Sequence, residues 1–231
     1  MPELTLDTPV LDHGYVRVVE YMGSDARIAA CARVSTARHN KNVDESADAG
    51  LISRLMRDSH SSPFEHAVFT FEVRAPIFVA RQWMRYRFSS FNEESGRYVK
   101  LQDEFYVPDE LRVQVGKAMD YQYIALPEDI DTYYRQLMHE HFESGRKLYE
   151  RLLDARVARE HARLVLPVAQ YTTFIWTVNV LSLMNFLYQR TDPHAQAEIR
   201  AYAEAIEHMF AERFPMTHQA FRQFWGYGKI V

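Results

Sequence analysis

The sequence predicts a single α+β domain, residues 1–231, with a central, mostly antiparallel sheet and long helices. Three observations lead there. The 231 residues contain no low-complexity stretch, internal repeat or Pro/Gly/Ser-rich linker, so no domain boundary presents itself. Ala67 to Arg74 alternates apolar and polar side chains in the manner of a half-buried strand. Leu164 to Gln189 carries no formal charge, and its first half is dense in β-branched and aromatic residues before a helix-like second half, as the centre of a core would be. Composition agrees: 27 Lys+Arg against 31 Asp+Glu, a formal charge of −4, and 47% hydrophobic residues describe an ordinary globular chain. Such a chain can bury roughly 70–75% of its unfolded surface, enough for one substantial core.

Taken in order, Tyr15 to Tyr21 reads as a strand and Ser24 to Ser35 as a helix with Ser24 as N-cap. Glu45 to Asp58 continues as helix, with Leu51, Leu55 and Met56 on its inner face. In the strand Ala67 to Arg74, Phe69, Phe71 and Val73 share one face while Thr70, Glu72 and Arg74 share the other. Pro76 suits a first helical turn, which predicts helix from Ile77 to about Arg87. Asp129 to Asp154 and His194 to Phe214 read as two long helices, the second rich in Ala and Glu. Length alone would let the charge-free segment span a membrane. Its Pro, Gln, Thr, Asn and Ser interrupt the apolar run, so a buried strand leading into a buried helix is expected instead.

Several function classes are excluded early. The eight glycines, at 14, 23, 50, 96, 116, 145, 226 and 228, permit neither G-x-G-x-x-G nor G-x-x-x-x-G-K-[ST]. Dinucleotide-fingerprint and P-loop folds are therefore out, and any phosphate must be met mainly by side chains. Cys31 is the single cysteine, so no intrachain disulfide forms, and MPELTLDTPV has acidic residues where a secretory leader needs a basic and then an apolar region. A cytoplasmic protein is expected. Cys31 has no evident activating partner and reads as a small buried residue. The histidine spacings, His60 with His66 and His139 with His141, do not suit chelation, so no metal site is expected. The mildly acidic balance gives no reason to expect bulk nucleic-acid binding.

Two stretches carry chemistry. Arg81 to Tyr98 sets four guanidiniums and five aromatic rings among few counter-charges. Arg81 and Arg85, four apart, are expected on one helix face, with Arg87 about 200° round from Arg85. Ser89, Ser90, Asn92, Ser95 and Gly96 then read as a polar loop in which Gly96 admits a close backbone approach and Arg97 adds a bidentate donor, a combination suited to a phosphate and a planar base. The competing reading is a solvated helix end with ordinary ion pairs to Glu93 and Glu94. In the second stretch, Ser182, Asn185 and Gln189 form one polar stripe on the helix that follows Asn179. Buried amides need partners, from backbone or from a bound heterocycle. Arg190, at the end of that helix, is a cation placed to stabilise a developing anion.

Arg85-Tyr86-Arg87, seven residues and then Ser95 resembles the RHR-x7-S signature of the flavin-dependent thymidylate synthases. SPFEH at 62–66, the APIFVARQW helix entry, ARLVLP at 162–167, WTVN at 176–179, SLMNFL at 182–187 and the turn from Arg190 to Gln196 are similar to family segments in the family's order, covering Tyr15 to Phe224. The resemblance implies a homotetramer with sites shared between subunits, and methylation of dUMP to dTMP with FAD, methylenetetrahydrofolate and NADPH. It implies FAD contacts from His60, Ser62, Glu65, Arg85, Tyr86, Arg87, Glu93, Asn179, Asn185 and His194. Contacts to dUMP are implied for Gln82, Arg85, Glu94, Ser95, Gly96, Arg97, Arg163 and Arg190, with Arg190 as the catalytic group and no cysteine nucleophile. Ser95 is expected to be a ligand contact, because an unassisted hydroxyl is a weak nucleophile. Two departures stand out. Tyr86 replaces the motif's histidine with a phenol that is neutral near pH 7, and Leu181 stands where the family often has arginine, which predicts weaker FAD retention. Sequence alone leaves two other readings open: a single-stranded nucleic-acid module using Arg81 to Tyr98 as a stacking strip, and a flavin reductase without methyl transfer.

Overall fold

The computed structural model describes residues 7–36, 45–117 and 120–225. Its strands are β1 (Thr8–Val10), β2 (Gly14–Met22), β3 (Val68–Pro76), β4 (Ser89–Glu93), β5 (Arg112–Lys117), β6 (Asp120–Ala125) and β7 (Tyr171–Asn179). The helices are α1 (Asp25–Val34), α2 (Glu45–Arg57), α3 (Ile77–Trp83), α4 (Glu128–Asp154), the short α5 (Arg159–Ala162), α6 (Val180–Arg190), α7 (Ala197–Arg213) and α8 (Pro215–Phe224). The main sheet runs β1-β2-β3-β7-β4 with every neighbouring pair antiparallel, and β5 and β6 form a separate hairpin. The α+β expectation and its antiparallel sheet hold. Among the described residues no helix is long and apolar enough to cross a membrane.

The alternation read in β3 is what divides the sheet into two faces. Phe69, Phe71 and Val73 are fully buried, together with Phe174, Trp176 and Val178 of β7 and Val16 and Val18 of β2. Helices α3, α6 and α7 cover this face. On the opposite face Thr70 meets Thr177 at 3.1 Å, and Glu72 pairs with Arg17 and accepts from the Tyr15 hydroxyl at 2.6 Å. The charge-free segment becomes β7 running directly into α6, as expected, with Asn179 accepting the Ser182 N–H at 2.8 Å as the helix N-cap. Ser24 caps α1 in the same way, accepting from the Arg27 N–H. Cys31 is half-buried on α1 rather than buried.

Two local expectations are corrected. Helix α3 ends at Trp83 instead of near Arg87, because Trp83 is locked between sheet and helices. Its indole stacks on Phe186 at 4.8 Å and meets Trp176 edge-on at 5.3 Å, while the Tyr86 N–H turns back to the Trp83 carbonyl. Arg85 thus lies beyond the helix and shares no helix face with Arg81. Ser89 to Glu93, read as loop, is the edge strand β4 on β7. Its composition is weak for a strand, but Phe91 stacks towards Trp176 and the ladder to β7 satisfies the backbone, so pairing overrides propensity.

Gly14 opens β2 where a Cβ would lie 1.9 Å from the Tyr202 hydroxyl, 2.6 Å from the Val10 carbonyl and 2.8 Å from the Arg74 carbonyl. Gly50, in α2, has open space around that position. Gly14→Ala is expected to destabilise by about 1–3 kcal/mol through overpacking, whereas Gly50→Ala should stabilise by up to about 1 kcal/mol through helix propensity. Urea midpoints at constant m-value check both, and a Gly14→Ala midpoint equal to wild type would contradict the packing described.

Candidate active site

Strand β4 and the turn after it build the first group of site residues. The edge ladder to β7 holds Glu93 opposite Phe174, and the next residue, Glu94, donates its N–H to the Thr173 carbonyl at 2.9 Å. Both carboxylates are then occupied by β7: Glu93 accepts the Thr172 hydroxyl at 2.8 Å and Glu94 the Thr173 N–H at 3.0 Å. The turn that follows presents Ser95, Gly96 and Arg97, with the Ser95 hydroxyl accepting the Arg97 N–H at 3.3 Å. These residues and Arg163 line one cavity of about 360 Å³, floored by Tyr171 and Thr172. Gly96 is buried there, and a Cβ on it would approach the Leu101 Cδ1 to 3.0 Å and the Arg163 Cδ to 3.2 Å. The packing of Leu101 and Arg163 against Gly96 leaves little room for a side chain there.

Helix α6 builds the second group. Tyr86 packs edge-on against Phe186 at 5.0 Å and donates to the Gln189 amide oxygen at 2.9 Å; Gln189 in turn donates to Asn185 at 3.1 Å. The Arg190 guanidinium lies 5.4 Å from the Tyr86 ring centroid, and its Nε is buried without a hydrogen-bond partner. Gln82 on α3 donates to Gln196, just before α7, at 2.5 Å. The third group is the 3-10 turn Ser62–His66, which packs against α6 and exposes Ser62 and Glu65, with His60 exposed just before it. His194 lies exposed after α6, its ring 2.9 Å from Asp192. No side-chain hydrogen bond or ion pair among the described residues joins the three groups.

The ordinary ion pairs offered as the competing reading do not form. Glu93 and Glu94 bond to Thr172 and Thr173, and among the described residues Arg85, Arg87, Arg163 and Arg190 make no ion pair. Arg97 alone pairs, with Glu160 at 3.3 Å, between two half-exposed side chains where such a contact is worth little. The exposed guanidiniums of Arg85, Arg87 and Arg163 fit anionic phosphates, and that of Arg190 is partly buried. Asn179 and Asn185 have their amide oxygens engaged, which turns their nitrogens into the groups left for a ligand. The stripe of Ser182, Asn185 and Gln189 carries this order, but the partners of Glu93 and Glu94 gave no sign in the sequence, where Thr172 and Thr173 read only as β-branched strand formers. Leu181 is half-buried against the core.

Residues 17–216 match the family model described as thymidylate synthase complementing protein. The chain belongs to this family. Flavin-dependent thymidylate synthases from Thermosipho africanus and Thermotoga neapolitana are 46% and 48% identical to it, over 98% and 96% of this chain and 98% and 97% of theirs. A solved UMP/dUMP methylase, PolB from Streptomyces cacaoi, bound with 5-Br dUMP, superposes with a TM-score of 0.87 at 42% identity, covering 94% of this chain and 98% of that one. A second structure of PolB holds 5-Br UMP and superposes with a TM-score of 0.85.

Burial pushes the Glu94 carboxyl above the ordinary carboxylate range, against the opposing pull of the Thr173 N–H and Arg74. A raised acid pKa means that this group favours the fold below its unfolded value and ceases to do so as pH rises through the folded value. Glu94→Gln keeps an acceptor for Thr173 and removes the charged form. It should therefore melt above wild type at pH 7–8, with the gap closing towards pH 4. An equal gap at both pH values in thermal melts would contradict this.

Proposed function

We propose that the three groups of residues serve one reaction, the reductive methylation of dUMP to dTMP with methylenetetrahydrofolate as one-carbon donor. The chain is a FAD-dependent methyltransferase of the thymidylate synthase type, working as one domain over residues 1–231. One observation carries the assignment of residues: β7 engages both acidic side chains of the Ser95 turn, which leaves the neighbouring guanidiniums for anions. FAD, reduced by NADPH, supplies the hydride that completes the methyl group.

The chain's own groups bind and orient. Ser95, Gly96, Arg97 and Arg163 take the phosphate end of dUMP in their common cavity, with Gln82, Arg85 and Glu94 as further contacts. Arg190 stands against the uracil, where a fixed cation favours the N3 anion and raises electron density at C5 for attack on the one-carbon unit. FAD is held by Arg85, Tyr86, Arg87 and Glu93, by the amide nitrogens of Asn179 and Asn185, and by His60, Ser62, Glu65 and His194. The fit is chemical: exposed guanidiniums for a pyrophosphate, amide donors for a heterocycle.

The functional unit is a homotetramer in which copies complete one another's sites. Two features support this: among the described residues no side-chain hydrogen bond or ion pair joins the three groups, and Phe88, Leu164 and Tyr98 beside them are 88%, 76% and 73% exposed, an unusual state for large apolar side chains. The protein is placed in the cytoplasm, with no nucleic-acid or membrane partner.

Tritium release from C5-labelled dUMP, with NADPH and methylenetetrahydrofolate, tests the activity; labelled UMP is assayed beside it, because PolB is named as a methylase of both. Wild type should carry a flavin spectrum and release tritium. A colourless protein that binds oligonucleotides in a salt-sensitive way would support the nucleic-acid module, and NADPH oxidation without tritium release would support the reductase. Arg190→Ala should abolish turnover while sparing the fold, and Arg97→Ala should chiefly raise the KM for dUMP; near-native turnover of Arg190→Ala at saturating dUMP would contradict the N3 role. Leu181→Arg should tighten flavin binding, and an unchanged flavin Kd would count against the weaker retention expected of Leu181.

A further inference from the structure

We propose that Tyr86 and Gln189 form an uncharged brace that positions the Arg190 guanidinium, so that this chain steers its key cation with a phenol and an amide where the family motif has an imidazole. The inference rests on the reading that Arg190 serves the nucleotide. Its own evidence is the local geometry. Tyr86 is fixed at two points: its ring edge packs against buried Phe186 at 5.0 Å, and its hydroxyl donates to Gln189 at 2.9 Å. Gln189 is fixed in turn by donating to Asn185, one helical turn earlier, at 3.1 Å. The brace therefore begins on α6, leaves it through Tyr86 and returns to Arg190, one residue beyond Gln189.

What the brace holds is a cation with no ion-pair partner among the described residues. The Arg190 Cζ lies 5.4 Å from the Tyr86 centroid, within cation–π range, and its Nε is buried without a hydrogen-bond partner. Among the described residues no carboxylate pairs with it. A carboxylate would fix the guanidinium equally well but would cancel the charge that the uracil needs. An aromatic ring fixes it and leaves the charge in place. Arg190 is only partly buried at the end of α6, so an unbraced guanidinium there would keep rotamer freedom that it would lose on binding.

The phenol also removes a titration. The charged groups facing position 86 are Arg85 on its own turn and Arg190 on α6. Burial raises the Tyr86 hydroxyl above its usual value of about 10, although both arginines pull it the other way, so it stays protonated and keeps donating to Gln189 through the neutral range. An imidazole in the same place, with an ordinary pKa of about 6.5, would gain a proton as pH falls and set a third cation between two arginines.

The test uses FAD-loaded enzyme and compares Tyr86→Phe, Gln189→Leu, the double variant and Tyr86→His, with far-UV circular dichroism as the check on folding. Gln189 is exposed, so Gln189→Leu remains informative if a Tyr86 variant fails to fold. Tyr86→Phe and Gln189→Leu should each raise the KM for dUMP about five- to tenfold with a smaller change in kcat, the size of effect one lost hydrogen bond produces. The double variant should match either single one, because both cut the same brace. Tyr86→His should lose kcat/KM as pH falls through an imidazole pKa that burial and the two arginines hold below its ordinary value of about 6.5, and recover above it, an acid limb absent from wild type. Single-variant effects that multiply in the double variant, KM values equal to wild type, or a Tyr86→His profile that overlays wild type would each overturn the brace alone. A wild type that neither binds nor turns over dUMP would overturn the functional reading and the brace with it.

Discussion

Strand β7 is the member on which the rest of the structure depends. It pairs with β3 along its whole length, from Val68 opposite Asn179 to Pro76 opposite Tyr171, and with β4 on its other side. One strand thereby fixes the core face of the sheet, through Phe174, Trp176 and Val178, and the carboxylates of the site, through Thr172 and Thr173. It also launches α6 without a loop, because Asn179 closes the ladder and caps the helix with one side chain. The distance from the core to Arg190 is therefore set by a strand and a helix, the two stiffest elements a chain offers, which suits the role proposed for it.

Aromatic packing transmits that order to the arginines. Trp83, Trp176 and Phe186 form a compact cluster between α3, β7 and α6, and Trp83 also reaches Tyr202 on α7. Helix α3 can go no further than this cluster, so the chain turns at once, and the turn is where Arg85, Tyr86 and Arg87 stand. An arginine-rich motif on a continuing helix would spread its charges around a cylinder. On a turn pinned by Trp83, the same residues are free to face a ligand.

Electrostatics follow from hydrogen bonding rather than from charge count. The chain is acidic overall, and Glu93 and Glu94 sit beside the site arginines in sequence. Local neutralisation would be the ordinary outcome. Instead both carboxylates accept from the threonines of β7, and part of Glu94 is buried. Scarcity of glycine fits the proposed site, in which side-chain guanidiniums would take the place of the backbone nests that glycine-rich loops provide.

The sequence by itself determined the periodic elements and the residue types. The alternation of β3, the Ser24 cap and the strand-to-helix passage of Leu164 to Gln189 all follow from local patterns that a neighbouring chain segment only reinforces. The motif from Arg85 to Ser95 was legible as chemistry for the same reason, because guanidiniums, hydroxyls and a glycine keep their capacities in any fold. Only the tertiary structure decided that β4 is a strand, since Ser89 to Glu93 pairs through its backbone and its side chains carry little propensity. It alone decided which charges are free, because Thr172 and Thr173 lie far from Glu93 and Glu94 along the chain and meet them across a ladder. It also joined Tyr86 to Gln189 and Arg190. No spacing encodes that contact; it exists because Trp83 stops α3 against Phe186 and leaves the next ring facing the end of α6.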